Sequence, residues 1–89
     1  MNLNALKIFV SVVDHGSFVG ASRILNVPSS NISRAMTQLE QQLQCQLLVR
    51  STRQLRLTEF GHVLFASAKP LIDGMNDAQS QLAEMQNTL

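Results

Sequence analysis

Residues 29–43 read SSNISRAMTQLEQQL, with Ile32, Met36, Leu39 and Leu43 at steps of four, three and four, one apolar stripe of a helix. The other face carries Ser30, Asn31, Ser33, Arg34, Thr37, Gln38 and Gln41, and Ser29 opens it. An ordinary solvated helix face mixes Glu and Lys; this one offers hydroxyls, amides and one guanidinium. Such groups suit hydrogen bonding to base edges. Asn pairs with adenine N6 and N7, Arg forks onto guanine or clamps a phosphate, and serines serve either. A second set, Arg50, Arg53 and Arg56, is the densest basic cluster in the chain and suits neutralisation of a polyanion.

These residues need elements to hold them. Asn2 is the expected N-cap of a first helix whose apolar positions are Leu3, Leu6, Phe9, Val10 and Val13. Gly16 suits the left-handed residue after it, and Ser17 caps the next helix. That second helix is short, with Phe18, Ala21, Ile24 and Leu25 expected to face inward. Asn26-Val27-Pro28 connects it to the third, and Pro28 disfavours continuation because it lacks an amide hydrogen and restricts its predecessor. Two helices so joined are the pattern of a helix-turn-helix, though helical hairpins with no nucleic-acid role share it.

After Cys45 the period changes. Residues 46–50 (QLLVR) and 55–58 (LRLT) are β-prone, separated by the polar tip 51–54. The expectation is a two-stranded wing leaning on the helices through Leu47, Leu48, Leu55 and Leu57, since an isolated hairpin is marginal. Thr58 then caps a long fourth helix, with Glu59 at its positive end. In it Leu64, Ala68, Leu71, Met75, Ala78, Leu82, Met85 and Leu89 recur by alternating fours and threes, a heptad seam that argues for dimerisation. Phe60, Val63 and Phe65 lie off the seam and are expected to dock the helix on the body. A bend is expected at Pro70. The fold class is therefore mainly α: a winged helix-turn-helix over residues 1–58 and a linker and dimerisation helix over 59–89.

Composition narrows the alternatives. Net charge is only +1, but residues 1–56 hold six of the seven basic residues against Asp14 and Glu40, whereas residues 57–89 hold Lys69 against four acids. Asp14, Gly16 and Ser17 interrupt the richest apolar stretch, so no membrane span is expected, and the N-terminus lacks a signal-peptide pattern. Cys45 is the only cysteine, which excludes an internal disulfide and a multi-cysteine metal site. A reducing, cytoplasmic setting is expected, with no cofactor and no metal.

The ordered set Phe9 through Gly16-Ser17-Phe18 and Ala21, Ile32-Ser33-Arg34, Leu39-Glu40, Leu43, Leu47, Arg50 and Leu57-Thr58-Glu59 with Gly61 resembles the N-terminal DNA-binding domain of LysR-type transcriptional regulators. The resemblance covers essentially the whole chain. It implies sequence-specific binding of a double-stranded DNA operator by a homodimer joined through the long helix, with tetramers in full-length proteins. It assigns Ser33 and Arg34 to DNA contact. A small-molecule effector would bind a C-terminal domain beyond this chain, which implies a piece of a longer protein. Departures are specific. Gln44 stands where the family usually has glycine, Leu48 where it has phenylalanine, and Pro28-Ser29-Ser30 differs from its usual helix start.

The DNA-binding set is thus Ser29, Ser30, Asn31, Ser33, Arg34, Thr37, Gln38, Arg50, Arg53 and Arg56, with Arg50 alternatively paired to Glu40. Arg23, His15 and His62 read as surface residues and Cys45 as a packed side chain. A competing reading is a winged-helix and coiled-coil protein–protein module without DNA binding, against which the basic wing speaks. Catalysis has no constellation here: no clustered carboxylates, no phosphate loop and no nucleophile–base pair.

Overall fold

The computed structural model describes residues 1–50 and 54–88. Helix α1 spans Leu3–His15, α2 Phe18–Leu25, α3 Ser29–Leu43 and α4 Glu59–Thr88. The caps follow from local chemistry. The Asn2 side chain accepts from the Asn4 amide at 2.8 Å, and Ser17 Oγ accepts from the Gly20 amide at 2.9 Å. Gly16 ends α1 with φ 71°. Helix α2 ends at Asn26, whose φ of 57° is left-handed and whose amide bonds the Ser22 carbonyl. Asparagine tolerates that conformation, so it stops α2 two residues before Pro28. Gln44 ends α3 in the same conformation, with φ 57° and its amide on the Gln41 and Glu40 carbonyls. That geometry accounts for the glycine the resemblance expects at this position.

Helix α1 is the centre of the core because Phe9, Val10 and Val12 point in three directions. Phe9 packs with Met36, Leu39, Leu47 and Leu48; Val12 with Ala21 and Ile32; Val10 with Ala68 and Ile72. Phe65 meets Phe9 edge-on, with ring centroids 6.5 Å apart and planes at 73°. The apolar stripe of α3 is fully buried at Ile32, Met36 and Leu39, which leaves its polar face outward.

Three expectations change. Ile24 is exposed rather than inward, because Ala21 alone of α2 is fully buried. Phe60 and Val63 do not dock α4: they are 62% and 65% exposed. Docking is done by Gly61, Leu64, Phe65, Ala68 and Ile72, a row at helical spacing on the opposite side. Ala68 and Leu64, assigned to the seam, therefore pack inside their own chain. Pro70 does not split α4, which continues through it as one helix, in keeping with the sequence expectation.

The two-stranded wing is also revised. Among the described residues it is one antiparallel bridge, Leu48 to Leu57. Hydrogen bonds flank it, from the Val49 amide to the Arg56 carbonyl at 2.9 Å and from the Thr58 amide to the Leu47 carbonyl at 3.0 Å. The outer edge of this segment is not free, because the Leu47 and Leu48 amides donate to the Glu40 carboxylate. Residues 51–53, including Arg53, and Leu89 lie outside the described residues. Among those described, no helix is long and apolar enough to cross a membrane.

Candidate nucleic-acid interface

The outward face of α3 is an array of short polar side chains on a rigidly backed helix. Ser29, Ser30, Asn31, Arg34, Thr37 and Gln38 are exposed and Ser33 is half-buried. Ser30, Arg34, Thr37 and Gln41 stack along its middle at steps of four, three and four. Gln41 lies outside the expected contact set, yet it is exposed and continues the same row. Thr37 Oγ1 donates back to the Ser33 carbonyl at 3.1 Å, so outward it offers lone pairs and a methyl group. No side chain caps the first turn of α3, because the N-cap is Pro28. The Asn31 and Ile32 amides donate to the Pro28 carbonyl, which leaves those of Ser29 and Ser30 at the open helix end.

The arginines divide. Arg34 and Arg56 are exposed and pair with no acid among the described residues. Arg50 donates to Glu40 Oε1, the alternative partner that the sequence offers it. Glu40 Oε2 accepts the Leu47 amide at 2.7 Å and the Leu48 amide at 3.2 Å. This carboxylate thus joins α3 to the base of the wing. The pairing of Glu40 with Arg50 is legible in the sequence as an alternative; its grip on the Leu47 and Leu48 amides is not.

On the far flank Lys69 bonds Asp14 at 2.7 Å and Asp73 at 3.2 Å, tying the end of α1 to α4. The hydrogen bond to Asp14, then that to Asp73, holds the lysine above its ordinary pKa. His15 donates from Nδ1 to the Ser11 carbonyl at 2.8 Å. Cys45 is half-buried beside Leu43, Leu47, Phe60, Val63 and Leu64, which line an apolar groove. Along α4, Met75 is half-buried and Leu71, Ala78, Leu82 and Met85 are exposed. Among the described residues no His, Cys, Asp and Glu cluster is arranged to hold a metal ion.

Residues 3–62 match the family described as bacterial regulatory helix-turn-helix protein, lysR family. The chain belongs to the LysR family. Its α1–α3 core and wing base are thus the helix-turn-helix domain of that family. Among LysR-family relatives, the transcriptional activator AaeR of Escherichia coli K12 is 37% identical over 86 residues, covering 97% of this chain and 28% of AaeR. The regulator PtxR of Pseudomonas aeruginosa is likewise 37% identical over 86 residues, with the same 97% and 28% coverage. The chain therefore spans under a third of the length of these curated relatives. Among solved structures, the BenM DNA-binding domain in complex with catB site 1 DNA has a TM-score of 0.83 at 32% identity, covering 96% of this chain and 94% of that one. Full-length AphB, a virulence activator of Vibrio cholerae, has a TM-score of 0.87 at 32% identity, covering 92% of this chain and 28% of its own.

Proposed function

We propose that this chain binds duplex DNA sequence-specifically as a homodimer and so serves transcriptional regulation. The observation that carries the reading is the exposed row Ser30, Arg34, Thr37 and Gln41 on a helix whose other side is wholly committed to the core. The likeness to a BenM domain described in a DNA complex supports the same reading. In it, α3 enters the major groove. Ser29, Ser30 and Asn31 meet bases or phosphates at its first turn, Ser33 and Arg34 follow, and Thr37 and Gln38 lie farther along. Arg56 neutralises phosphates beside the groove, and Arg53, of the same basic cluster, enters the adjacent minor groove or grips its backbone.

The dimer contact is the free stripe of α4. Phe60, Val63, Leu71, Leu82 and Met85 are each more than 60% exposed, which is costly for side chains of that size in water. Phe60 and Met85 lie equally far from the point between Ile72 and Asp73, and so do Val63 and Leu82. Two copies of α4 crossing antiparallel there would cover both ends of each stripe. Ser67, Gly74 and Ala78 between them are small enough for close approach. In this reading the longer protein assembles as tetramers and binds its effector elsewhere.

The test is duplex selection from a random pool, followed by affinity measurement at several salt concentrations. The reading requires a partly two-fold consensus and log affinity falling by roughly 0.9 per neutralised phosphate with log salt. Dimers without any salt-sensitive duplex affinity would instead identify a protein–protein module.

A further inference from the structure

We infer that Glu40 sharpens sequence discrimination by keeping Arg50 off the DNA backbone. The inference rests on the DNA-binding reading above and concerns how one of its arginines is used. Arg50 belongs to the wing cluster and by type suits a phosphate. Its guanidinium instead donates to Glu40 Oε1. The Glu40 side chain is only 10% exposed, against 37% for Arg50. Its other oxygen accepts two backbone amides, those of Leu47 and Leu48.

The two partners are therefore unequal. Arg50 leaving for a phosphate would exchange one anion for another, with little gain. Glu40 would be left nearly buried and without its cation, which is costly. The pair stays closed, and Arg50 adds nothing to the phosphate-neutralising part of the affinity. That part is independent of sequence and supplies most non-specific binding. Residues 1–56 contain only six basic residues, so withholding one removes a large share of the non-specific attraction. Contacts of the α3 face to base edges are left untouched. Glu40 acts through Arg50 and the wing base, as a positioning residue that never touches DNA.

Glu40→Gln separates the two roles of this carboxylate. The amide oxygen still accepts from Leu47 and Leu48, so the wing base stays attached to α3, but the charge holding Arg50 is gone. Salt titrations of duplex affinity should then show a slope steeper by about 0.9, the release of one more phosphate's counterions. Affinity for arbitrary duplexes should rise more than affinity for the selected operator, so the discrimination ratio falls. Adding Arg50→Gln to Glu40→Gln should return the slope to that of the unaltered chain. Circular dichroism melts of each variant identify any loss of fold, which would change affinity without steepening the slope. An unchanged slope in Glu40→Gln, or a steeper one that persists in the double variant, overturns the inference while leaving DNA binding intact. Absence of salt-dependent duplex binding by the unaltered chain would overturn the DNA-binding reading, and this inference with it.

Discussion

The α-carbon of Gly61 sits so close to Leu47 that a Cβ built on it would lie 2.2 Å from the Leu47 carbonyl oxygen. That oxygen also accepts the Thr58 amide at 3.0 Å, and Thr58 Oγ1 accepts the Gly61 amide at 3.0 Å. The base of the wing, the cap of α4 and the first turn of α4 are thus one packed junction. Glu40 grips its other side through the amides of Leu47 and Leu48. The relative placement of α3 and α4 is set through this short extended segment.

Gly61→Ala should therefore destabilise the domain although alanine is the better helix former. The propensity gain is roughly 1 kcal/mol. Overpacking costs roughly 1–3 kcal/mol and occasionally more, and a backbone oxygen cannot rotate away as a side chain does. A net loss of about 1–2 kcal/mol is expected in urea unfolding at fixed protein concentration. An unchanged midpoint would contradict the tight junction.

Gln44→Gly should act in the opposite direction. Gln44 holds φ 57° at the end of α3, a conformation that costs a non-glycine residue roughly 1–2 kcal/mol. Glycine removes that cost but loses more chain entropy on folding, roughly 0.4–1 kcal/mol. A gain of about 0.5 kcal/mol is expected in the same unfolding measurement, with DNA selectivity unaltered because Gln44 lies past the exposed row.

Val63→Lys or Leu82→Glu alone should shift the chain toward monomer in sedimentation equilibrium while its melting curve keeps one cooperative transition. Neither residue contributes to the buried core. The two together should restore dimers, because antiparallel crossing juxtaposes Val63 with Leu82 of the partner subunit. A parallel pairing would place like charges together and leave the double variant monomeric.

The Lys69 contacts predict an alkaline limit. A lysine whose folded pKa lies above its unfolded value stabilises fully below the unfolded pKa and loses that contribution as pH rises through the folded one. Melting temperatures of the unaltered chain and Lys69→Met should differ by a constant amount from neutral pH to pH 9. They should converge above the ordinary lysine pKa of 10.5. A difference that persists undiminished above that pH would contradict the contribution of the Lys69 contacts.

Much of this organisation was written in local sequence. Asn2, Gly16, Ser17 and Thr58 mark helix ends because each acts on amides or a backbone conformation within three residues of itself. The polar face of α3 was legible because helical spacing alone separates it from Ile32, Met36 and Leu39. The family pattern was legible for the same reason, as a run of short motifs in order. The tertiary structure decided what depends on which faces meet. A heptad seam through Leu64 and Ala68 and a stripe through Phe60 and Val63 are equally good in one dimension. Only the packing of α4 on Val10 and Phe9 gives the first pair to the core and leaves the second exposed. Likewise Arg50 and Arg56 share one basic cluster, and the sequence leaves Arg50 open either to a phosphate or to Glu40. Their difference arises because α3 brings Glu40, ten residues away from Arg50, against the wing base, where a nearly buried carboxylate needs a cation.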